Sequence, residues 1–329
     1  MAGNEVPVGG LVTPRDIEVA AERIREVVVR TPLLPYPELD EGLGGTVRLK
    51  CESLQRGGSF KARGATNFVA QLPEEALERG VITYSSGNHA QALALAARSR
   101  NARAVVVMPT TAPAVKVEGA KRLGAEVVLE GTTSYDRQSR AEALAEAEGL
   151  TMVPPFEHPF IIAGQGTVGK EIAEDWPEVD LVLVPIGGGG LISGTAIAVK
   201  NLLPHVEVVG VEASGAPGMK AALDAGEPVT LDSVDTIADG LKPVRVGDIT
   251  FRHAREYVDE VVLVDDEDIR RAAGLLLGRR KLVVEFSGAA PVGALLSGAV
   301  DIRGRNVAAV LSGGNLDSSF MEGLARAST

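Results

Sequence analysis

Short, almost uninterrupted apolar runs alternate along this chain with longer stretches in which apolar residues return every three or four positions. The first pattern predicts strands buried on both faces, and the second predicts helices packed on one side. The opening helix is marked by Thr13 as cap and Pro14 in the first turn, with Ile17, Ala20, Ala21, Ile24 and Val28 at helical spacing. A strand-like run, TVRLKCE, leads into the turn GGSFKARGA. Beyond it GVITYSS, ARAVVVMP and AEVVLE read as strands, separated by the helices NHAQALALAARS and APAVKVEGAKRLG. SYDRQSRAEALAEAEG closes this block as a helix. A second block starts near Gly164 with the helix GQGTVGKEIAEDW, then the strand VDLVLVPI, the helix GLISGTAIAVKNLL, the strand VEVVGVEA and the helix GMKAALDAG. RNVAAVLSGG near the end is a further strand. Two alternating blocks predict an α/β protein with two open, parallel, twisted sheets, helices on both faces of each, and a cleft between them.

A chain of 329 residues implies two domains or one large α/β unit, and 45% apolar and 23% charged residues is the composition of a soluble globular protein. The net charge of −11 works against nucleic acid or an anionic membrane as partner. No apolar run has the length of a membrane span, and MAGNEVPVGG lacks a signal-peptide core, so a cytoplasmic protein is expected. Cys51 is the single cysteine, which excludes an internal disulfide and a cysteine-based zinc site. His89, His158, His205 and His253 lack metal-ligand spacing; His158 reads as a packed loop residue, His205 and His253 as surface positions.

Three glycine-rich turns follow predicted strands. In LVLVPIGGGGLISG the buried strand ends at Ile186 and Gly187, Gly188, Gly189 and Gly190 lead into a helix, a combination of convergent N–H groups and helix N-terminus that suits a phosphate. A P-loop is excluded because Leu191 and Ile192 stand where Lys and Ser/Thr would be. A dinucleotide fingerprint begun at Gly188 needs glycine at 193, where Ser193 stands, although Glu212 ends the next strand at the distance expected of a ribose-binding acid. A nicotinamide oxidoreductase therefore stays open on these residues. YSSGNHAQAL offers Ser85, Ser86, Asn88, His89 and free N–H groups at a helix start, equally suited to a carboxylate or to plain capping. In VLSGGN, Ser312 supplies one hydroxyl. Together with Lys61, framed by the GGSF turn, these features match the needs of pyridoxal phosphate, an aldehyde cofactor with a phosphate handle.

The motifs GGSFKARGA, SSGNHAQAL, IAGQGTVGKEI, PIGGGGLISG, TIADGL and LSGGN, in this order, resemble the fold-type II pyridoxal-phosphate enzymes, and within them the threonine/serine dehydratases and serine racemases. The resemblance runs from about residue 13 to about residue 325 and implies a tryptophan-synthase-β-like fold. It implies that residues 1–75 and 154–329 form a large cofactor-binding domain, with 76–153 as a small mobile domain capping the substrate. It implies that Lys61 carries the cofactor as a Schiff base and takes the α-proton, with Phe60 bordering the ring and Asn88 bonding the ring's phenolic oxygen. Gly187 to Gly190 would cradle the phosphate and Ser312 would face the pyridine nitrogen. Ser85, Ser86, Asn88 and His89 would hold the substrate carboxylate, and Ser86, opposite Lys61, would be a second acid/base.

The activity implied is elimination from a β-hydroxy amino acid, L-threonine or L-serine by default, to a 2-oxo acid and ammonia. The alternatives are 3-hydroxyaspartate as substrate, and serine or aspartate racemisation with side elimination. Arg137 bears on the first alternative, since its guanidinium would pair a second substrate carboxylate; otherwise it is a surface arginine on a charged helix. Metal-dependent relatives bind Mg or Ca through a glutamate, a carbonyl and a second acid. Glu212 and Ala216 match the first two, and Gly218 stands in place of the third. Glu285 sits where relatives place an acid near the cofactor. A homo-oligomer, dimer or tetramer, is the family's usual state.

Overall fold

The structure is a computed structural model that describes residues 11–327 apart from 86 and 113. Its ten strands are β1 (Leu33–Pro35), β2 (Thr46–Lys50), β3 (Val81–Tyr84), β4 (Ala104–Met108), β5 (Glu126–Leu129), β6 (Thr151–Met152), β7 (Leu181–Pro185), β8 (Glu207–Ala213), β9 (Glu260–Val264) and β10 (Asn306–Val310). They form a six-stranded sheet in the order β1-β2-β10-β7-β8-β9 and a four-stranded sheet in the order β5-β4-β3-β6. Every pairing is parallel except β1 with β2. That antiparallel edge departs from the all-parallel expectation. Its physical reason is local: β1 runs back along β2 within one short connection, and a connection without a crossover permits only antiparallel pairing.

The parallel strands are apolar because helices cover both faces of each sheet. β7 is buried at all five positions, and Leu181 and Leu183 enter one core cluster while Val182 and Val184 enter the one on the opposite face. A third cluster, built on Val81, Val106 and Leu93, lies on one face of the smaller sheet. Each such side chain contributes about 1.5–3 kcal/mol.

The first helix spans Pro14–Ile24, with a reciprocal capping box between Thr13 and Asp16. Asn88–Ser99 and Gly190–Leu202 start immediately after their glycine-rich turns. The helix expected to begin near Gly164 starts earlier, at Pro159, because His158 caps it by accepting the Phe160 N–H. His253 is buried rather than on the surface, its Nε2 accepting the Val12 N–H at 3.1 Å. The polar run around it lies on a helix, Asp248–Tyr257, whose inner face that ring occupies. Among the described residues no helix is long and apolar enough to cross a membrane.

Candidate active site

The turn that carries Lys61, the turn after β10 and the turn after β3 meet at the carboxyl ends of the strands. The Phe60 N–H donates to the Ser312 carbonyl at 3.0 Å, the Gly314 N–H to the Gly58 carbonyl at 2.8 Å, and Ser59 bridges to Gly313. Asn315 joins the third turn: its Nδ2 donates to the Gly57 carbonyl at 2.9 Å and to Asn88 Oδ1 at 2.8 Å. A Cβ on Gly58, whose φ is +75°, would lie 2.4 Å from Asn315 Oδ1, so glycine is the residue that lets these turns close on one another. Asn88 Nδ2 in turn donates to Glu285 Oε1 at 2.5 Å.

Lys61 opens the helix Lys61–Val69 beneath this junction. Its amine donates to the Pro155 carbonyl at 2.6 Å and lies 5.2 Å from the centre of the Phe60 ring. Burial pulls that amine down to about 8, against the opposing pull of the Glu285 carboxylate. Burial pushes the Glu285 carboxyl up to about 7; Asp239 adds to this, while Lys116, Asn88 and Lys61 oppose it. Glu285 Oε2 has no hydrogen-bond partner among the described residues.

The tetraglycine turn is held closely from outside. A Cβ at Gly187 would lie 2.6 Å from the Gly240 carbonyl, and one at Gly188 would lie 2.3 Å from the Phe156 ring. Gly189 has φ +95° and Thr250 at 2.8 Å from its virtual Cβ. Thr250 Oγ1 donates to the Gly188 carbonyl at 2.8 Å, which turns that carbonyl outward. The N–H groups of Gly187, Gly188 and Gly189 find no protein acceptor among the described residues, and they stand at the start of a helix.

The other expected positions fall as follows. Ser312 is buried after β10, and Ser85 follows β3, its Oγ accepting the Gly87 N–H at 3.1 Å. Ser86 lies outside the described residues. The His89 ring is buried with Nε2 3.1 Å from the Val153 carbonyl, and burial, with Lys61 nearby, pulls it down to about 3, so it stays neutral near pH 7. Arg137 is 8% exposed, not a surface residue: it donates to the Thr132 carbonyl at 3.3 Å, and its charge is felt by Tyr84 at the end of β3.

A divalent cation does not fit the residues offered for it. Glu212 accepts the N–H groups of Met219 at 2.7 Å and Lys220 at 2.9 Å, and the Ala216 carbonyl accepts the Gly218 N–H at 3.0 Å. Both expected ligands are thus engaged by the start of the helix Gly218–Ala225, and no cluster of three or more His, Cys, Asp or Glu suited to a metal occurs among the described residues.

Three participants were not singled out from the sequence. Asn315 was legible only as the last letter of LSGGN. Lys116, almost fully buried on the helix Ala114–Arg122, pairs with Asp239 of the TIADGL segment. Burial would lower the Lys116 amine, but Asp239 and Glu285 outweigh it and hold the amine above its usual value. Pro155 supplies the carbonyl for Lys61. Each is joined to its partner across a long stretch of chain, which leaves no local pattern.

A family model described as pyridoxal-phosphate dependent enzyme matches residues 24–313, and the chain belongs to that family. An L-threonine ammonia-lyase of Thermotoga maritima is 44% identical over 95% of this chain and 78% of its own. The structure of maize serine racemase superposes with a TM-score of 0.92 at 37% identity, covering 95% of this chain and 97% of that one. The structure of a tomato (Solanum lycopersicum) threonine deaminase, the processed form of isoform 2, superposes with a TM-score of 0.90 at 36% identity, over 99% and 98%.

The residues fit the family's cofactor. The free N–H groups of the tetraglycine turn suit its phosphate, the buried amine of Lys61 its aldehyde, and the enclosed polar groups of Asn88, Glu285 and Ser312 its ring substituents. Because only the neutral amine attacks an aldehyde, recapture of pyridoxal phosphate by the apo-protein is expected to speed up as pH rises and level off above about 8. Stopped-flow absorbance on apo-protein between pH 6 and about 9.5 checks this, and a rate independent of pH would contradict it.

Proposed function

We propose that this chain removes the α-proton and the β-hydroxyl of L-threonine or L-serine and releases a 2-oxo acid and ammonia. The observation that carries the reading is the buried Lys61 amine, pulled down to about 8, beside Phe60 and the Ser312 turn. Similarity to threonine ammonia-lyases over nearly the whole chain supports it.

When bound, pyridoxal phosphate supplies a carbon for the substrate nitrogen and a ring that draws electrons from the α-carbon. The protein supplies the rest. Gly187 to Gly190 hold the phosphate at a helix N-terminus. Lys61 holds the cofactor at rest and, freed as a neutral amine, takes the α-proton. Asn88, fixed between Asn315 and Glu285, bonds the ring's phenolic oxygen. Ser312 would face the ring nitrogen with a neutral hydroxyl, which would not hold that nitrogen protonated as a carboxylate would. The hydroxyl leaves as water, and hydrolysis of the unsaturated amine returns one water and frees ammonia. Ser85, Ser86, Asn88 and His89, with the main chain around them, hold the substrate carboxylate. Residues 76–153 act as a cap on 1–75 and 154–329, excluding water when closed.

Similarity to maize serine racemase supports racemisation as a second activity, with Ser86 as the acid/base opposite Lys61. The buried Arg137 supports 3-hydroxyaspartate as a further substrate. A panel of L-serine, L-threonine and both 3-hydroxyaspartate diastereomers, assayed for 2-oxo acid and analysed on a chiral column, tests the proposal. Threonine and serine are expected to be turned over fastest, with 2-oxo acid exceeding D-serine. D-serine in excess would replace the lyase reading by the racemase one. Hydroxyaspartate turned over far better than threonine, with the order reversed by Arg137→Ala, would replace the substrate.

A further inference from the structure

Two residues beyond Lys61 on the same helical turn, Arg63 is fully buried and engages two glutamates at once. Its Nε and Nη2 donate to Glu52 at 2.8 Å each, and its Nη1 and Nη2 donate to Glu171 at 2.7 and 2.8 Å. Thr167 Oγ1 accepts a further bond from Nη1 at 3.0 Å. Lys50 completes the cluster, donating to Glu171 at 2.6 Å and to the Thr31 carbonyl at 2.7 Å, while Thr31 donates to Glu52. Two cations and two anions are thus sealed together between β2, the helix Lys61–Val69 and the helix Pro159–Asp175. Burial opposes the charge on Glu52, but Arg63 outweighs it and holds the carboxyl below its usual range.

Such a cluster is a poor way to gain stability. Desolvating charges costs several kcal/mol per ion, and well-packed apolar residues of similar volume commonly do as well or better. What a bidentate guanidinium does supply is direction, because its planar fork meets each carboxylate in one geometry. The start of this helix has no side-chain cap, and the chain enters it through Gly57 and Gly58, both at positive φ. Main-chain bonds to the Ser312 turn hold that entry on one side, and Arg63 holds it on the side of Glu171.

We infer that Arg63 is a positioning residue, fixing the first turn of the helix Lys61–Val69 and hence the place of the Lys61 amine. Glu171 belongs to the helix Pro159–Asp175, and Pro155, the carbonyl acceptor of Lys61, lies in the segment that leads into that helix, so the Arg63–Glu171 and Lys61–Pro155 bonds tie the same two stretches of chain together. Close packing keeps the two helices from sliding: the Gly64 N–H donates to Gln165 Oε1 at 3.2 Å, and a Cβ on Gly164 would lie 2.6 Å from Gly64 Cα. The Arg63 side chain does not enter the cleft, and its effect passes through Lys61. The inference rests on the reading of Lys61 as the working amine; turnover and absorbance of Lys61→Ala test that reading separately, so failure of either is visible without the other.

The test compares Arg63→Lys and Glu171→Gln with Ile172→Val, a packing change in the apolar core on the same helix. Arg63→Lys is expected to fold, to lower kcat by about tenfold or more with KM changed by less than about twofold, and to shift the pH midpoint of cofactor recapture by the apo-protein by about half a unit or more. Glu171→Gln, which leaves the Arg63–Glu52 pair in place, is expected to act in the same direction to a smaller degree and carries the test should Arg63→Lys fail to fold. Ile172→Val is expected to lower thermal stability while leaving kcat and the midpoint unchanged. Wild-type kcat and midpoint in the folded Arg63 and Glu171 variants would overturn the inference. So would equal changes in Ile172→Val, because the cluster would then act through general stability alone.

Discussion

Lys61→Ala is expected to fold, to bind pyridoxal phosphate reversibly, and to lose about 10³-fold or more in kcat for ammonia release. Two contributions disappear together: the bond that holds the cofactor at rest, and the base that takes the α-proton. The fold should survive, because the amine's one hydrogen bond among the described residues goes to the Pro155 carbonyl and removing a buried cation relieves its desolvation. The tetraglycine turn proposed to hold the phosphate is untouched, so cofactor added in excess should still bind, without the visible band of the lysine-bound form, and should dialyse away. Circular dichroism, absorbance after dialysis and an ammonia assay separate these expectations. Near-normal turnover would remove Lys61 from the mechanism.

The second large effect is expected from Gly187→Ala. The new methyl would sit 2.6 Å from the Gly240 carbonyl, and that atom is main chain, with the Gly240 N–H already held by Ser287 Oγ at 2.8 Å. Neither side yields cheaply, so the turn must shift and its N–H groups no longer converge. Overpacking of this kind costs about 1–3 kcal/mol of stability. The larger loss should be in cofactor affinity, about 10–100-fold, because a phosphate at a helix N-terminus depends on the aim of several donors at once. Titration of the apo-protein with pyridoxal phosphate, beside denaturant unfolding, checks both. Unchanged affinity would mean that the phosphate is held elsewhere.

The parts of the molecule legible in the sequence are those with local causes. NHAQALALAARS reads as a helix because alanine and leucine recur along it after a glycine turn, and the observed helix is Asn88–Ser99. VDLVLVPI reads as a buried strand because both faces of β7 are covered. The tetraglycine turn stands out because few other tasks require four glycines in a row between a strand and a helix. What escaped the sequence was long-range. Asn315 holds Gly57 and Asn88 together, residues more than two hundred positions away, and no spacing within the chain signals that meeting. Lys116 looks like a surface lysine on an amphipathic helix until Asp239 is brought against it. The surface readings of Arg137 and His253 fail for the same reason. A polar side chain in a charged stretch looks solvated, and only tertiary packing decides whether another element covers it. β1, three residues that follow Pro32 and end at Pro35, is too short to carry any periodicity.

The Glu212 carboxylate accepts the Met219 and Lys220 N–H groups at the start of the helix Gly218–Ala225, and burial pushes it up to about 7.

The central claim is elimination at the cofactor held by Lys61, and the product balance from L-threonine tests it most directly. Wild-type protein saturated with pyridoxal phosphate is expected to form 2-oxo acid and ammonia in a one-to-one ratio. Loss of L-threonine without 2-oxo acid, or no loss of L-threonine or L-serine at all, would contradict the account.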